Sequence, residues 1–208
     1  MFKKKTLERS FPLKGIDNGH YNIEYKGVKC LKCPFDYVIY QMIVNEVNPD
    51  LIIEIGTNEG GSTLYLADLL ELQGNGTVHS IDIKDDCPKK VKEHGRIKLF
   101  TDGWESYDLN LTREFKKILV IEDSSHQYEN TLGAIKKFNS IVTIGSYLIV
   151  EDGIIDDLGR AKEFNGGPLK AIKEFLTENL NFSIDQRWID FFGNNATFNP
   201  MGYLKKTN

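Results

Sequence analysis

Two apolar, strand-sized runs in this chain each end in acidic residues. Ile118-Leu119-Val120-Ile121 leads into Glu122-Asp123-Ser124-Ser125-His126, and Tyr147-Leu148-Ile149-Val150 leads into Glu151-Asp152. If the two runs are neighbouring strands, Asp123, Glu151 and Asp152 converge on one point. Oxygen ligands without a thiolate suit a hard cation, Mg²⁺ first, with positions left open for water or substrate. Three crowded carboxylates repel one another, which argues for a bound ion or a proton between them. His126, three residues past Asp123, falls beside such a site. There an imidazole can take a proton as general base, ligate the metal, or simply lie at the surface. None of His20, His79, His94 or His126 begins an H-x-[DE] run, so a two-histidine iron site lacks its local signature.

A second constellation lies upstream. The run Leu51-Ile52-Ile53-Glu54-Ile55 is followed by Gly56-Thr57-Asn58-Glu59-Gly60-Gly61-Ser62. Glycines let the backbone turn sharply and approach a ligand closely, and the helix start that follows favours anionic groups. The spacing is G-x-x-x-G-G rather than the G-x-G-x-x-G of dinucleotide folds, and Ser62 stands where a P-loop would carry its lysine. A nucleoside triphosphatase is therefore disfavoured. The next apolar run ends in Ser80-Ile81-Asp82-Ile83. An acid about 20 residues past a glycine loop can bind the hydroxyls of a ribose, which suits an adenosine-bearing cofactor. Cys30-Leu31-Lys32-Cys33 is a C-x-x-C, but zinc would need a second pair and Cys87 alone does not provide one. It is read as incidental.

These residues need elements to hold them at one edge. Leu51–Ile55, Thr77–Ile83, Ile97–Thr101, residues 118–121 and residues 147–150 read as strands. Ser62–Leu72 and Asn130–Phe138 read as helices, and Pro168 opens another at its first turn. Phe182–Ile189 and Ala196–Leu204 read as two late strands joined by Gly193-Asn194-Asn195. The alternation predicts an α/β fold: a Rossmann-like, doubly wound, mostly parallel seven-stranded sheet with a C-terminal antiparallel hairpin. Ligands of such sheets sit beyond the carboxyl ends of the strands, where the acids and glycines lie. Residues 1–48 read as an N-terminal extension, a lid or an oligomer contact, and residues 49–208 as the cofactor-binding domain.

The composition agrees. In 208 residues, 40% are hydrophobic and 27% charged, as in an ordinary globular domain and unlike a disordered or collagen-like chain. Basic residues number 26 against 30 acidic, a net charge of −4, so nucleic acid is a poor partner. Three cysteines are too few for a disulfide scaffold and point to a reducing compartment. No run approaches a membrane span, and a cytoplasmic location is expected. The Lys3–Lys5 run reads as a solvated tail.

In order and spacing the sequence resembles the cephalosporin hydroxylase/rhamnosyl O-methyltransferase family, over roughly residues 24 to 206. The resemblance rests on Lys32-Cys33-Pro34-Phe35-Asp36 with Tyr40-Gln41, on Pro49 through Thr57, on Gly60-Gly61-Ser62, and on Asp123-Ser124-Ser125-His126. It continues through Val150-Glu151-Asp152, Gly166-Gly167-Pro168 with Ala171-Ile172, and Phe198-Asn199-Pro200-Met201-Gly202-Tyr203-Leu204. The resemblance implies a class I methyltransferase fold, S-adenosylmethionine as cofactor, Mg²⁺ or another divalent cation, and O-methylation of a sugar or glycosylated natural product. It places Glu54, Gly56 and Ser62 at the methionine end of the cofactor, with Thr57, Asn58, Gly60 and Gly61 in the same loop. Asp82 becomes the ribose acid, Asp102 and Trp104 the adenine side, and Ser124 a further cofactor neighbour. Asp123, Glu151 and Asp152 become the metal ligands, and His126 the catalytic base. Glu122 departs from the family picture by adding an acid beside Asp123. A small-molecule, carbohydrate-bearing acceptor and a homo-oligomer are the expected partners, with acceptor specificity assigned to residues 1–48 and Asp156–Gly167. Two other readings stay open: a SAM-binding accessory protein that does not methylate, and an NAD-dependent oxidoreductase, which the missing G-x-G-x-x-G opposes.

Overall fold

The computed structural model describes residues 12–193 and 196–208. The Lys3–Lys5 run and Asn194-Asn195 of the expected late turn lie outside the described residues. Helix α1 (Leu13–His20) leads into a small hairpin of β1 (Glu24–Tyr25) and β2 (Val28–Lys29), and α2 (Pro34–Val47) follows. Then come β3 (Leu51–Ile55), α3 (Gly61–Gln73), β4 (Thr77–Ile81), α4 (Lys89–Lys92), β5 (Ile97–Phe100) and β6 (Ile118–Glu122). The chain finishes with α5 (Tyr128–Phe138), β7 (Tyr147–Val150), α6 (Gly167–Glu178), β8 (Phe182–Ile184), α7 (Gln186–Ile189) and β9 (Tyr203–Lys206).

Seven strands form one sheet in the order β5-β4-β3-β6-β7-β9-β8. The pairs β3·β4, β4·β5, β3·β6 and β6·β7 are parallel, and β9 runs antiparallel between β7 and β8. The chain leaves β3 in one direction to β4 and β5 and returns to its other side at β6. The order therefore reverses between β3 and β6, and a crevice opens at their carboxyl ends. Period-2 alternation divides the core. Leu51, Ile53, Ile118, Val120, Leu148 and Val150 pack with Ala134, Ile135 and Phe138 of α5 and Ile172 and Phe175 of α6. Ile52, Leu119, Ile121, Tyr147 and Ile149 pack on the other face with Ile39, Ile43 and Val44 of α2 and Leu66 and Leu70 of α3. Residues 34–47, read from the sequence as part of an extension, thus form a sheet-covering helix. Pro34 stands at its first turn and Asn48 closes it in the left-handed conformation, as expected of such positions.

The tail departs from the expected pair of long strands. Asp185 caps the backbone N–H of Arg187 and starts the helical turn α7, so β8 stops at Ile184. Residues 196–202 are not a strand either; their polar groups serve the site described next. At β4, Asp82 ends the strand because its carboxylate takes up the local amides of Ile83 at 2.7 Å and Asn58 at 2.8 Å. No helix among the described residues is long and apolar enough to cross a membrane.

Candidate functional site

At the crevice the chain forms a cavity of ≈ 740 Å³. One end is the loop after β3. Gly56 has φ +105°, and a Cβ there would lie 1.9 Å from the carbonyl oxygen of Asp123, so only glycine lets the β3 and β6 ends approach this closely. Gly60 precedes α3 with φ +85° and no side chain caps that helix. Gly61 and Ser62 of its first turn, where helix N–H groups lack intrahelical partners, line the cavity, which suits a carboxylate. Asp82 and Asn58 line the next stretch, joined by their hydrogen bond.

Trp104 forms a further wall. Its Nε1 donates to Asn130 Oδ1 at 2.9 Å, and Asn130 Nδ2 donates to Ser124 Oγ at 2.9 Å and Ser125 Oγ at 3.0 Å. Gly133 of α5 gives the indole its seat, since a Cβ there would sit 2.8 Å from the ring. Glu122 closes the chain of contacts: its buried carboxylate accepts from the Ser124 hydroxyl and from the Ser124 amide at 3.2 Å. Burial pushes the Glu122 carboxyl up from its ordinary value, opposed by these hydrogen bonds. The extra acid beside Asp123 is therefore a brace for the loop.

Asp123, His126 and Asp152 each offer a ligand atom, and all three lie within 4.8 Å of one another. His126 Nε2 is 3.3 Å from Asp152 Oδ2. His126 and Asp152 both have positive φ, +60° and +56°, a conformation that costs a non-glycine residue and recurs at functional sites. Asp152 is held from behind: its amide donates to Asn199 Oδ1 at 3.1 Å, while Asn199 Nδ2 donates to Tyr40 Oη at 3.1 Å. This is why residues 196–202 leave the sheet.

Glu151 stands apart from that triplet. It is buried and accepts from Lys32 Nζ at 2.5 Å, and the same ammonium donates to Asp123 Oδ2 at 3.0 Å. Burial opposes charge on Lys32, but Asp123 and Glu151 outweigh it and hold the ammonium well above the ordinary lysine value. Burial raises Asp123 to about 6, with Lys32 pulling it down and Asp152 adding to the rise.

Of the residues expected from the sequence, Gly56, Thr57, Asn58, Gly61, Ser62, Asp82, Trp104, Asp123, Ser124, His126 and Asp152 line the cavity. Glu54, Gly60, Asp102 and Glu151 do not. Glu54 lies beneath the loop, bonded to Thr63 and, at 2.8 Å, to Ser80. Gly60 faces Val91 and Cys87, and Asp102 is exposed while its neighbour Gly103 lines the wall. The three cysteines are buried free thiols, with Cys33 Sγ donating to the Ala196 carbonyl at 3.2 Å. Sequence reasoning missed Lys32 as a site residue. It also left unnamed a second wall of the cavity, formed by His20, Tyr21, Leu158, Arg160, Phe164 and Phe198. His20 meets Phe198 edge-on at 5.3 Å, and His126 meets Phe164 edge-on at 5.9 Å. All but Phe198, which stands in the C-terminal motif of the resemblance, fall in the segments expected to set acceptor specificity, residues 1–48 and 156–167.

Comparison with known proteins places this geometry. The family described as rhamnosyl O-methyltransferase/CmcI matches residues 18–207. A rhamnosyl O-methyltransferase of Mycobacterium tuberculosis (strain ATCC 25618 / H37Rv) is 30% identical over 192 residues, covering 86% of this chain and 76% of its own. That of Mycobacterium leprae (strain TN) is 30% identical over 161 residues, covering 74% and 70%. Among solved structures, CmcI with Mg and SAM superposes with a TM-score of 0.67 at 21% identity, covering 90% of this chain and 78% of that one. MycE, a methyltransferase of mycinamycin biosynthesis solved with Mg, SAH and mycinamycin VI, gives 0.51 at 18% identity, covering 81% and 45%. The fold is that of the class I methyltransferases, and the chain belongs to the rhamnosyl O-methyltransferase/CmcI family.

Proposed function

We propose that this protein transfers a methyl group from S-adenosylmethionine to a hydroxyl of a sugar or glycosylated small molecule, with a divalent cation, Mg²⁺ first, as second cofactor. The observation that carries the reading is the placing of the Asp123–His126–Asp152 triplet in the same cavity as the uncapped start of α3 and Asp82. The residues fit both groups. Free amides at Gly61 and Ser62 suit the cofactor's carboxylate, Asp82 its ribose and Trp104 its adenine. Two carboxylates with clustered ligand atoms suit a hard cation; Asp123 and Asp152 would hold it, with Glu151 beside them on Lys32. When bound, S-adenosylmethionine supplies the methyl group and keeps the electron pair of the broken C–S bond, and the cation withdraws electron density from the acceptor hydroxyl.

The chain's own residues do the rest. His126 takes the hydroxyl proton at its other ring nitrogen, Nδ1, as the new O–C bond forms, and Asp152, 3.3 Å from Nε2, stabilises the resulting imidazolium. A positioned base of this kind contributes roughly 10²–10⁴ in rate. Asn199 and Glu122 keep the two strand-end loops in place, and the aromatic side chains of the second wall give the acceptor an apolar lining. The test is methyl transfer from labelled S-adenosylmethionine to a panel of rhamnosylated and other glycosylated acceptors, with EDTA and with Mg²⁺. Labelled product that requires both the glycosylated acceptor and the cation is the expected result. Label moving only to non-glycosylated acceptors, or none moving at all, would overturn the reading.

A further inference from the structure

Lys32 sits in the short segment between β2 and α2, and its side chain is 1% exposed. Its Nζ lies 3.0 Å from Asp123 and 2.5 Å from Glu151, residues 91 and 119 positions away in the sequence, and 5.4 Å above the Tyr40 ring. The segment that carries it is fixed on both sides. The Cys30 amide donates to Ile23 O at 2.9 Å and the Lys32 amide to Cys30 O at 2.9 Å, while Cys33 is tied to Ala196. An ammonium so deeply buried is tolerated only where carboxylates pay back its lost hydration, and the same holds for Glu151 in return. Beside the carboxyl groups of Asp123 and Glu151, Lys32 supplies a positive charge that belongs to the chain.

We propose that Lys32 is an internal counter-ion and positioning residue: it holds Asp123 and Glu151 together while no cation is bound, so that the acidic cluster stays folded without metal. Its presence also lowers the cluster's attraction for a divalent cation, since both are positive and share the carboxylate of Asp123. The second half rests on the cation proposed above; the first half does not. The cation is then required for chemistry and not for the fold.

The experiment uses Lys32→Met, Lys32→Arg and the double variant Lys32→Met/Glu151→Gln in the full chain. Thermal unfolding is followed in EDTA and in Mg²⁺, and Mg²⁺ is titrated calorimetrically. Lys32→Met in EDTA is expected to lose roughly 10 °C in Tm, as for a broken buried pair in a chain of this size. The double variant, which removes the charges together, is expected to regain most of that loss without metal. Mg²⁺ should bind Lys32→Met about tenfold or more tighter than wild type and raise its Tm by more, whereas Lys32→Arg keeps the wild-type metal response. A purely packing role would leave Mg²⁺ affinity unmoved. The proposal is overturned if Lys32→Met matches wild type in EDTA, if the double variant is no more stable than the single, or if both unfold in either condition. If the EDTA arm behaves as stated but wild-type protein binds no Mg²⁺, the counter-ion role stands and the metal reading falls instead.

Discussion

Gly56→Ala tests how tightly the two halves of the site are locked together. The new Cβ would lie 1.9 Å from the Asp123 carbonyl oxygen, 2.6 Å from its carbon and 3.1 Å from the Ser124 nitrogen. Carbon–oxygen contacts relax only beyond about 3.3 Å, so the loops after β3 and β6 must part by more than about 1 Å. Backbone hydrogen bonds on both sides resist this, from Gly56 N to Ile81 O and from Asp123 N to Ile55 O, each 2.8 Å. The φ of +105° adds about 1–3 kcal/mol for any residue with a Cβ, and one weakened backbone hydrogen bond adds about 1 kcal/mol. The expected loss is roughly 2–4 kcal/mol, with the cofactor loop and Asp123 displaced together. Gly74→Ala is the control: its φ is +74° with nothing within 4 Å of the new Cβ, so it should cost only about 1–2 kcal/mol. Urea unfolding gives the stabilities, and calorimetry gives S-adenosylmethionine affinity, which should fall at least about tenfold in Gly56→Ala and stay unchanged in Gly74→Ala. The reasoning is refuted if the two variants are equally stable and bind the cofactor alike.

Two further predictions concern histidines. His126→Asn keeps a side chain that tolerates the left-handed backbone but removes the base. Turnover should drop about 10²–10⁴-fold with cofactor affinity within a few-fold of wild type, and near-normal turnover would remove His126 from the chemistry. His79 is buried beside Tyr107 Oη at 2.6 Å, with Phe100 and Phe115 around its ring; burial, helped by Lys98, lowers it to about 4. The unfolded chain binds a proton at His79 below about pH 6.5 while the folded chain does not until about pH 4, so stability is lost as pH falls through that window. By pH 5 this amounts to about 2 kcal/mol. His79→Leu should lack that part of the acid sensitivity when unfolding free energies at pH 7 and pH 5 are compared, and an identical pH slope in both proteins would rule the assignment out.

The parts of the fold that the sequence declares are local ones. Residues 51–55, apolar but for Glu54, and residues 147–150 are runs bounded by Pro49, Gly56 and the acids, because parallel strands are buried on both faces and need no polar alternation. The glycine loop and the acids after β6 and β7 are legible for a related reason: strand ends are where such sheets put ligands. What stays hidden is non-local. Repulsion among Asp123, Glu151 and Asp152 signals a missing positive charge, and the expected answers are an ion or a proton. The chain also brings an ammonium to the cluster, from Lys32, whose neighbours look like an unremarkable C-x-x-C. Asp185 and Asn199 mislead in the tail because a capping side chain and a clamp on Asp152 override strand-like runs. Residues 34–47 are hydrophobic on nearly all sides, so their periodicity gives little hint that they cover the sheet rather than extend from it.

Calorimetric titration of S-adenosylmethionine into the wild-type protein, alone and with Mg²⁺, tests the central claim most directly. The account predicts one cofactor site per chain that fills without metal, since the uncapped α3 start, Asp82 and Trp104 form it, and that is weakened at least about tenfold in Asp82→Ala. Absence of binding in both conditions, or binding indifferent to Asp82→Ala, would contradict it.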